Sequence, residues 1–235
     1  RSLIPRANIT AWRQHAPWPG NEQVEQDLVL SRALISIFSN PILARYLVFR
    51  GGTALHKLLF ERPWRYSEDI DLVQKEQGPI GSLVDALHAS LDPWLGSPKW
   101  KTGAGRFTLT YRFETTFEPV SLMRLKIEIN TREHGSFLPI SSMAYEVDNP
   151  WFKGFAELQV NAGDELLGTK MRALYQRRKG RDLFDLWVAL HSGKADPERI
   201  VPCFQHYMDH DGLSVSRAEF ESNLGAKLES KDFLG

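Results

Sequence analysis

The chain has 235 residues, 42% of them hydrophobic, and its 29 basic side chains balance 29 acidic ones, giving a formal charge of zero. That length and apolar content allow a sizeable core and a division into two lobes. Zero net charge excludes a protein that attracts polyanions through its overall charge, and no apolar run is long enough to cross a membrane.

The first residues are polar, with Pro5, Pro17 and Pro19 where a signal peptide would carry an apolar core, and the absence of a methionine at Arg1 suggests trimming or an artificial boundary. Glu22 to Phe38 is predicted as an amphipathic helix, with Val24, Leu28, Leu34, Ile35 and Phe38 on its apolar stripe. Tyr46 to Phe49 reads as a short strand that Gly51-Gly52 breaks. Thr53 to Phe60 then has helical spacing, with Thr53 in the N-cap position. A strand, a glycine turn and a helix N-terminus form a cradle for phosphate, since backbone N–H groups and the positive end of the helix dipole converge there.

Asp69-Ile70-Asp71-Leu72-Val73 alternates polar with apolar and is predicted as a strand. Asp69 and Asp71 then share one face, and Ser67 would share it too if the strand began that early. Adjacent carboxylates repel unless a cation lies between them, and hard oxygen ligands at this spacing suit Mg²⁺ or Mn²⁺. A Gly-Gly-Thr turn by itself is an ordinary turn, and Asp-x-Asp by itself is an ordinary solvated strand face. One helix apart, the two favour a metal-nucleotide site.

Leu83 to Leu91 is predicted as a helix after Pro79. Arg106 to Thr115 and Val120 to Glu133 form a β-hairpin pair with Glu118-Pro119 in the turn. Within the second strand Leu125, Ile127 and Ile129 alternate with Lys126, Glu128 and Asn130, and Glu128 could simply pair with Lys126 or Arg132. Met143 to Val147 adds an edge strand, and after Asn149-Pro150 the pattern is expected to be helical to the end, broken at Pro197, Pro202 and Gly212. Glu165 to Tyr175 places Lys170 beside a buried stripe, where it could snorkel from the core. A basic loop, Arg177 to Arg181, leads into a helix that starts at Leu183, with Asp182 as N-cap and Asp185 at the capping-box position. Lys170, Arg172, Arg177, Arg178, Lys179 and Arg181 fall within twelve residues and could attract a triphosphate or an RNA backbone, or could be a solvated helix end. The histidines, His56 and His134 among them, lack zinc-type spacing and read as incidental. The single cysteine, Cys203, is expected as a buried small apolar residue in a reducing, cytoplasmic setting.

Gly51-Gly52-Thr53-Ala54-Leu55 followed by Tyr66-Ser67-Glu68-Asp69-Ile70-Asp71-Leu72 resembles motif I of the DNA polymerase beta type nucleotidyltransferases, in the variant of the AbiEii/AbiGii toxin family. The family's third carboxylate, on a later strand, matches Glu128, although Glu stands where Asp is more usual. Its helix lysine matches Lys170, and Arg181-Asp182-Leu183-Phe184-Asp185-Leu186 resembles its Arg-Asp-x-x-Asp-Leu signature. The resemblance implies an α+β fold, with a polymerase beta-like lobe and mixed sheet at residues 1 to 155, a helical lobe at 156 to 235, and an active site in the cleft between them. Asp69, Asp71, Glu128, Lys170 and Asp182 would be catalytic, the first three holding two Mg²⁺ (or Mn²⁺) ions about 3.5–4 Å apart. Glu128 is also a candidate to take the proton of the attacking hydroxyl. Gly51, Gly52, Thr53, Lys57, Ser67, Arg178 and Arg181 would bind the nucleoside triphosphate. The implied activity is NMP transfer with release of pyrophosphate, by the toxin of a toxin-antitoxin or phage-defence pair, with tRNA 3′ ends or other RNA as acceptor and an antitoxin as partner. Nucleotidylation of a small molecule or protein, and nucleotide binding without catalysis, are the alternatives.

Overall fold

The computed structural model describes residues 3–234, so Arg1, where trimming is expected, lies outside the described residues. They form two compact units. The first takes the residues up to Thr53 together with Arg65–Ser136 and Ile140–Val160; the second takes Ala54–Trp64, Phe137–Pro139 and the residues from Asn161 onward. Among the described residues no helix is long and apolar enough to cross a membrane.

The first unit is α+β. Its elements in chain order are α1 (Arg6–Trp12), α2 (Asn21–Phe38), α3 (Pro41–Tyr46), β1 (Leu47–Arg50), β2 (Asp69–Gln74), α5 (Gly81–Leu95), β3 (Lys99–Gly103), β4 (Arg106–Glu114), β5 (Leu122–Asn130), β6 (Ser141–Asn149) and β7 (Phe152–Val160), while α4 (Gly51–Ala54) and a π-helical turn (Leu55–Leu59) lie between β1 and β2. The strands form one mixed sheet in the order β3-β4-β5-β2-β1-β7-β6, in which β2 runs parallel to β5 and β1 parallel to β7. Alternation decides which face is core, since burying one Leu or Ile is worth about 1.5–3 kcal/mol. Ile70 and Leu72 of β2, Leu109 and Tyr111 of β4, and Leu125, Ile127 and Ile129 of β5 are buried, with α2 and α5 packed on the sheet. On α2 the Arg32 guanidinium lies over Trp94 and Trp151, at 4.2 and 4.6 Å from the ring centroids, so its charge faces aromatic π-clouds.

Several local readings change. The segment after Asn149-Pro150 is not helical at once: β7 follows, pairing antiparallel with β6 along its whole length and meeting β1 at Phe49↔Val160. Its alternation of buried Ala156, Leu158 and Val160 with polar residues is a strand period, and helices begin only at Gly163. Tyr46 closes α3 and does not open β1. That short helix starts where the Asn40 side chain accepts from Ile42 N–H (3.0 Å) and Leu43 N–H (3.3 Å), with Pro41 at its first position. The edge strand β3 carries no sequence signal, because all five of its residues are exposed and leave no apolar period.

The second unit is helical: α6 (Gly163–Gln176), α7 (Gly180–His191), α8 (Pro197–His210), α9 (Arg217–Leu228) and α10 (Lys231–Leu234). Buried Glu165 on α6 accepts from Phe137 N–H (2.9 Å), Leu138 N–H (3.0 Å) and Tyr207 O–H (2.6 Å), which ties the 137–139 segment and α8 to α6. Lys227 of α9, also buried, donates to the carbonyls of Leu174 and Tyr175 and so satisfies the C-terminal turn of α6. Cys203 is buried as expected, and burial pushes its thiol up to about 11.

Candidate active site

In the first unit, β2 buries Ile70 and Leu72 and so turns Asp69 and Asp71 to the other side of the sheet. Its parallel partner β5 stands in a register that sets Asp69 against Lys126 and Asp71 against Glu128, while antiparallel β1 sets Arg50 against Asp71. Three carboxylates from two neighbouring strands thus share one face. Lys126 Nζ lies 3.1 Å from Asp69 Oδ2 and 3.6 Å from Glu128 Oε2, and Arg106 Nε lies 3.3 Å from Glu128 Oε1. Burial raises the Asp71 carboxyl above its ordinary range, and the Asp69 and Glu128 charges push it the same way, against Arg50 and Lys126. Lys126 answers in kind: burial would lower it, but the Asp69, Glu128 and Asp71 carboxylates raise it.

The glycine turn is built against the same carboxylates. Gly51 has φ +85°, and a Cβ there would overlap Asp71 Oδ2, so both backbone and space require glycine. A Cβ at Gly52 would come within 2.5 Å of Arg65 Nη2. Thr53 is not an N-cap, because the helical turn already begins at Gly51. Its hydroxyl instead donates to the Asp69 carbonyl (2.6 Å), so Ser67 Oγ, 2.7 Å away, must donate to it. Ser67 precedes β2 and does not extend the Asp69 face. The structure therefore collects Gly51, Gly52, Thr53, Ser67, Asp69, Asp71 and Glu128 in one unit; half-buried Lys57, in the π-helical turn, groups with the other.

Among the described residues no three His, Cys, Asp or Glu side chains converge on one point at ion-binding geometry. In donor chemistry Asp69, Asp71 and Glu128 nonetheless fit a hard divalent cation. Burial is the largest cause that raises the Asp71 carboxyl, with the Asp69 and Glu128 charges adding to it, and Lys126 supplies a positive charge between two of the three.

The second unit holds a separate polar network. Lys170 is buried, with Nζ 3.1 Å from Asp182 Oδ1 and 3.2 Å from Asp185 Oδ2. Asp182 also accepts a bidentate pair from Arg177, Nε at 2.7 Å and Nη2 at 2.8 Å. Burial would raise Asp182, but the Arg177 hydrogen bonds and the Lys170 and Arg177 charges outweigh it and hold the carboxyl below its ordinary value. Asp182 is not an N-cap either: α7 starts at Gly180 and Asp182 sits in its first turn. Asp185 is not part of a capping box. His56 Nε2 lies 2.9 Å from Asp185 Oδ1, and Trp64 N–H donates to His56 Nδ1 at 3.2 Å. With Nδ1 accepting, the imidazole is neutral and its Nε2–H donates to Asp185. His56 is thus a buried partner and not incidental; it is 129 residues from Asp185, a separation that no motif spacing reveals. Arg178, Lys179 and Arg181 are exposed.

A model of the AbiEii nucleotidyl transferase toxins of type IV toxin-antitoxin systems matches residues 32–234, a span that contains the glycine turn, all three carboxylates and the Lys170 network. The chain belongs to this family. It is therefore a nucleotidyltransferase and the toxin of such a system. Among solved structures, this AbiEii chain is similar to MenT4, a nucleotidyltransferase toxin from Mycobacterium tuberculosis H37Rv, with 17% identity, a TM-score of 0.54 and coverage of 98% of this chain and 92% of that one. At that identity the likeness concerns the fold. An antigenic nucleotidyltransferase-like protein from Paracoccidioides brasiliensis also matches, with 17% identity, a TM-score of 0.42 and coverage of 83% of this chain and 92% of that one. No curated protein matches the AbiEii chain in sequence.

Proposed function

We propose that this AbiEii toxin transfers a nucleoside monophosphate from a nucleoside triphosphate to an RNA hydroxyl, the 3′ end of tRNA, in the cytoplasm, with Mg²⁺ or Mn²⁺ as cofactor and a cognate antitoxin as its restraint. The observation that carries this reading is the register of β2 and β5, which sets Asp71 beside Glu128 on the face that the Gly51 turn abuts. Asp69 and Asp71 would hold the divalent ion, with Glu128 completing its ligands. The bound ion supplies charge stabilisation for the triphosphate and acidifies an attacking hydroxyl. Glu128 would also take the hydroxyl's proton. Backbone N–H groups of the Gly51-Gly52 turn grip phosphate oxygens, and Thr53, through Ser67 and the Asp69 carbonyl, fixes the turn against β2.

Lys170 and Asp182 pair with each other inside the second unit, and their proposed part is to hold the segment that follows Arg177. Their ion pair, with Asp185, His56 and Arg177, orients the Arg177 to Arg181 segment, whose exposed Arg178 and Arg181 are proposed contacts for RNA phosphates. The reading is tested by incubating the purified chain with total cellular RNA, Mg²⁺ and each labelled triphosphate in turn. Label incorporated at RNA 3′ ends with matching pyrophosphate release is expected; incorporation into protein or a small molecule instead would overturn the RNA acceptor.

A further inference from the structure

The face that carries the carboxylates also carries a strip of cations. Paired residues on neighbouring strands point to the same side of a sheet, and here the pairs chain across four strands. Asp69 of β2 faces Lys126 of β5, which faces Thr110 of β4, which faces Lys99 of β3. A second row runs Asp71, Glu128, Thr108, Lys101. Arg112 pairs with Arg124 toward one end of the strands, and Arg106 pairs with Asn130 toward the other. The opposite side of β4 and β5 is core, with Phe107, Leu109, Tyr111, Leu125, Ile127 and Ile129 all buried, and the residues on this side are exposed or half-buried.

Lys126 and Arg106 are engaged with Asp69 and Glu128. Among the described residues, Lys99, Lys101, Arg112 and Arg124 meet no ion-pair partner, and all four are exposed. Apart from the three catalytic-site carboxylates, the acidic residue that β4 and β5 place on this side is Glu114, at the end of β4. With neighbouring strands about 4.8 Å apart, the strip reaches about 14 Å from β2 to the β3 edge. A nucleotide gripped at the Gly51 turn would leave these four cations unused, whereas a chain of phosphates would meet them. A molecule of zero net charge can bind a polyanion only by segregating its cations in this way.

We propose that the open face of β3, β4 and β5 is the track for the sugar-phosphate backbone of a single-stranded RNA acceptor, with Lys99, Lys101, Arg112 and Arg124 as its phosphate contacts. The direction of the track, toward Asp69, Asp71 and Glu128, rests on the transfer reading above; binding itself does not. Contacts of this kind are sequence-independent and fix where the strand lies, leaving base choice to other groups.

The test uses a labelled single-stranded oligoribonucleotide of about ten nucleotides, titrated with the full chain at several salt concentrations. In the quadruple variant Lys99→Ala, Lys101→Ala, Arg112→Ala, Arg124→Ala, the slope of log Kd against log salt should flatten by about 0.7 per lost contact, about 3 in all, with Kd weaker on the order of tenfold or more at low salt. Its melting temperature should match the wild type. The double variant Lys153→Ala, Arg217→Ala removes cations that are 72% and 89% exposed elsewhere and should leave affinity and slope alone. If the quadruple variant folds poorly, the single reversal Lys101→Glu must weaken binding instead. Unchanged affinity and slope, or an equal loss in the control pair, overturns the proposal, and so does loss of an acidic protein partner with RNA binding intact. RNA transfer by an enzyme indifferent to these four residues would sink the track alone, whereas RNA binding that depends on them without any transfer would sink the transfer reading alone.

Discussion

Burial first, and then the charges of Asp69 two residues back and Glu128 across the strand pair, raise the Asp71 carboxyl against Arg50 and Lys126. Because its folded carboxyl lies above the ordinary value, folding favours the protonated form, so this group's contribution is most favourable below the unfolded value and declines as pH rises through the raised one. Asp71→Asn should therefore leave the metal-free melting temperature equal or higher at neutral pH while lowering transfer more than about 100-fold, as expected when a ligand of the ion is lost. Melting curves in chelator and initial rates of label transfer check the two halves separately. Asp182 behaves in the opposite sense. Its carboxyl is depressed, so the stability it contributes is present above the unfolded value and is lost as pH falls through the folded one, and urea unfolding of the wild type should show that loss in acid. Lys170→Ala should remove much of the same stability at neutral pH, at the lower end of about 3–5 kcal/mol, since Arg177 and His56 still partner the two buried carboxylates.

At the scale of elements, the Gly51 turn couples β1 to the carboxylates of β2. Gly51→Ala must place a side chain at φ +85° and against Asp71, which should cost about 1–2 kcal/mol for the backbone alone and displace the carboxylate as well. Transfer should thus fall further than the melting temperature suggests, and paired rate and melting measurements will show whether it does. The same elements divide what was legible in the sequence from what was not. Asp69-Ile70-Asp71-Leu72 and Leu125 to Asn130 announce themselves as strands, because a half-buried strand must alternate, and their face assignments follow. The register of β2 on β5, which makes Glu128 the neighbour of Asp71, is a long-range fact without a local signal; the family resemblance marks Glu128 as the third carboxylate but not where it pairs. β3 is too exposed to show a period, and β7 is masked by the Pro-marked break before it, which by itself signals the start of the helices. His56 carries no local signal, since its partner Asp185 arrives from a different helix.

For the whole molecule, the balance of 29 charges against 29 conceals a local order that composition cannot express. Carboxylates and exposed cations lie on one face of the sheet of the first unit, while the buried Lys170 network lies within the second. Membership of the AbiEii toxins supplies the reaction class, and the sheet face supplies the residues to question. The most direct measurement is label transfer from a nucleoside triphosphate to RNA by the wild type, by Asp69→Ala and by Asp71→Ala, each with Mg²⁺ and with chelator in its place. The account predicts transfer and pyrophosphate release by the wild type with Mg²⁺ alone, and none by either variant although both remain folded. Transfer that persists in chelator, or in either aspartate variant at near wild-type rate, would contradict it.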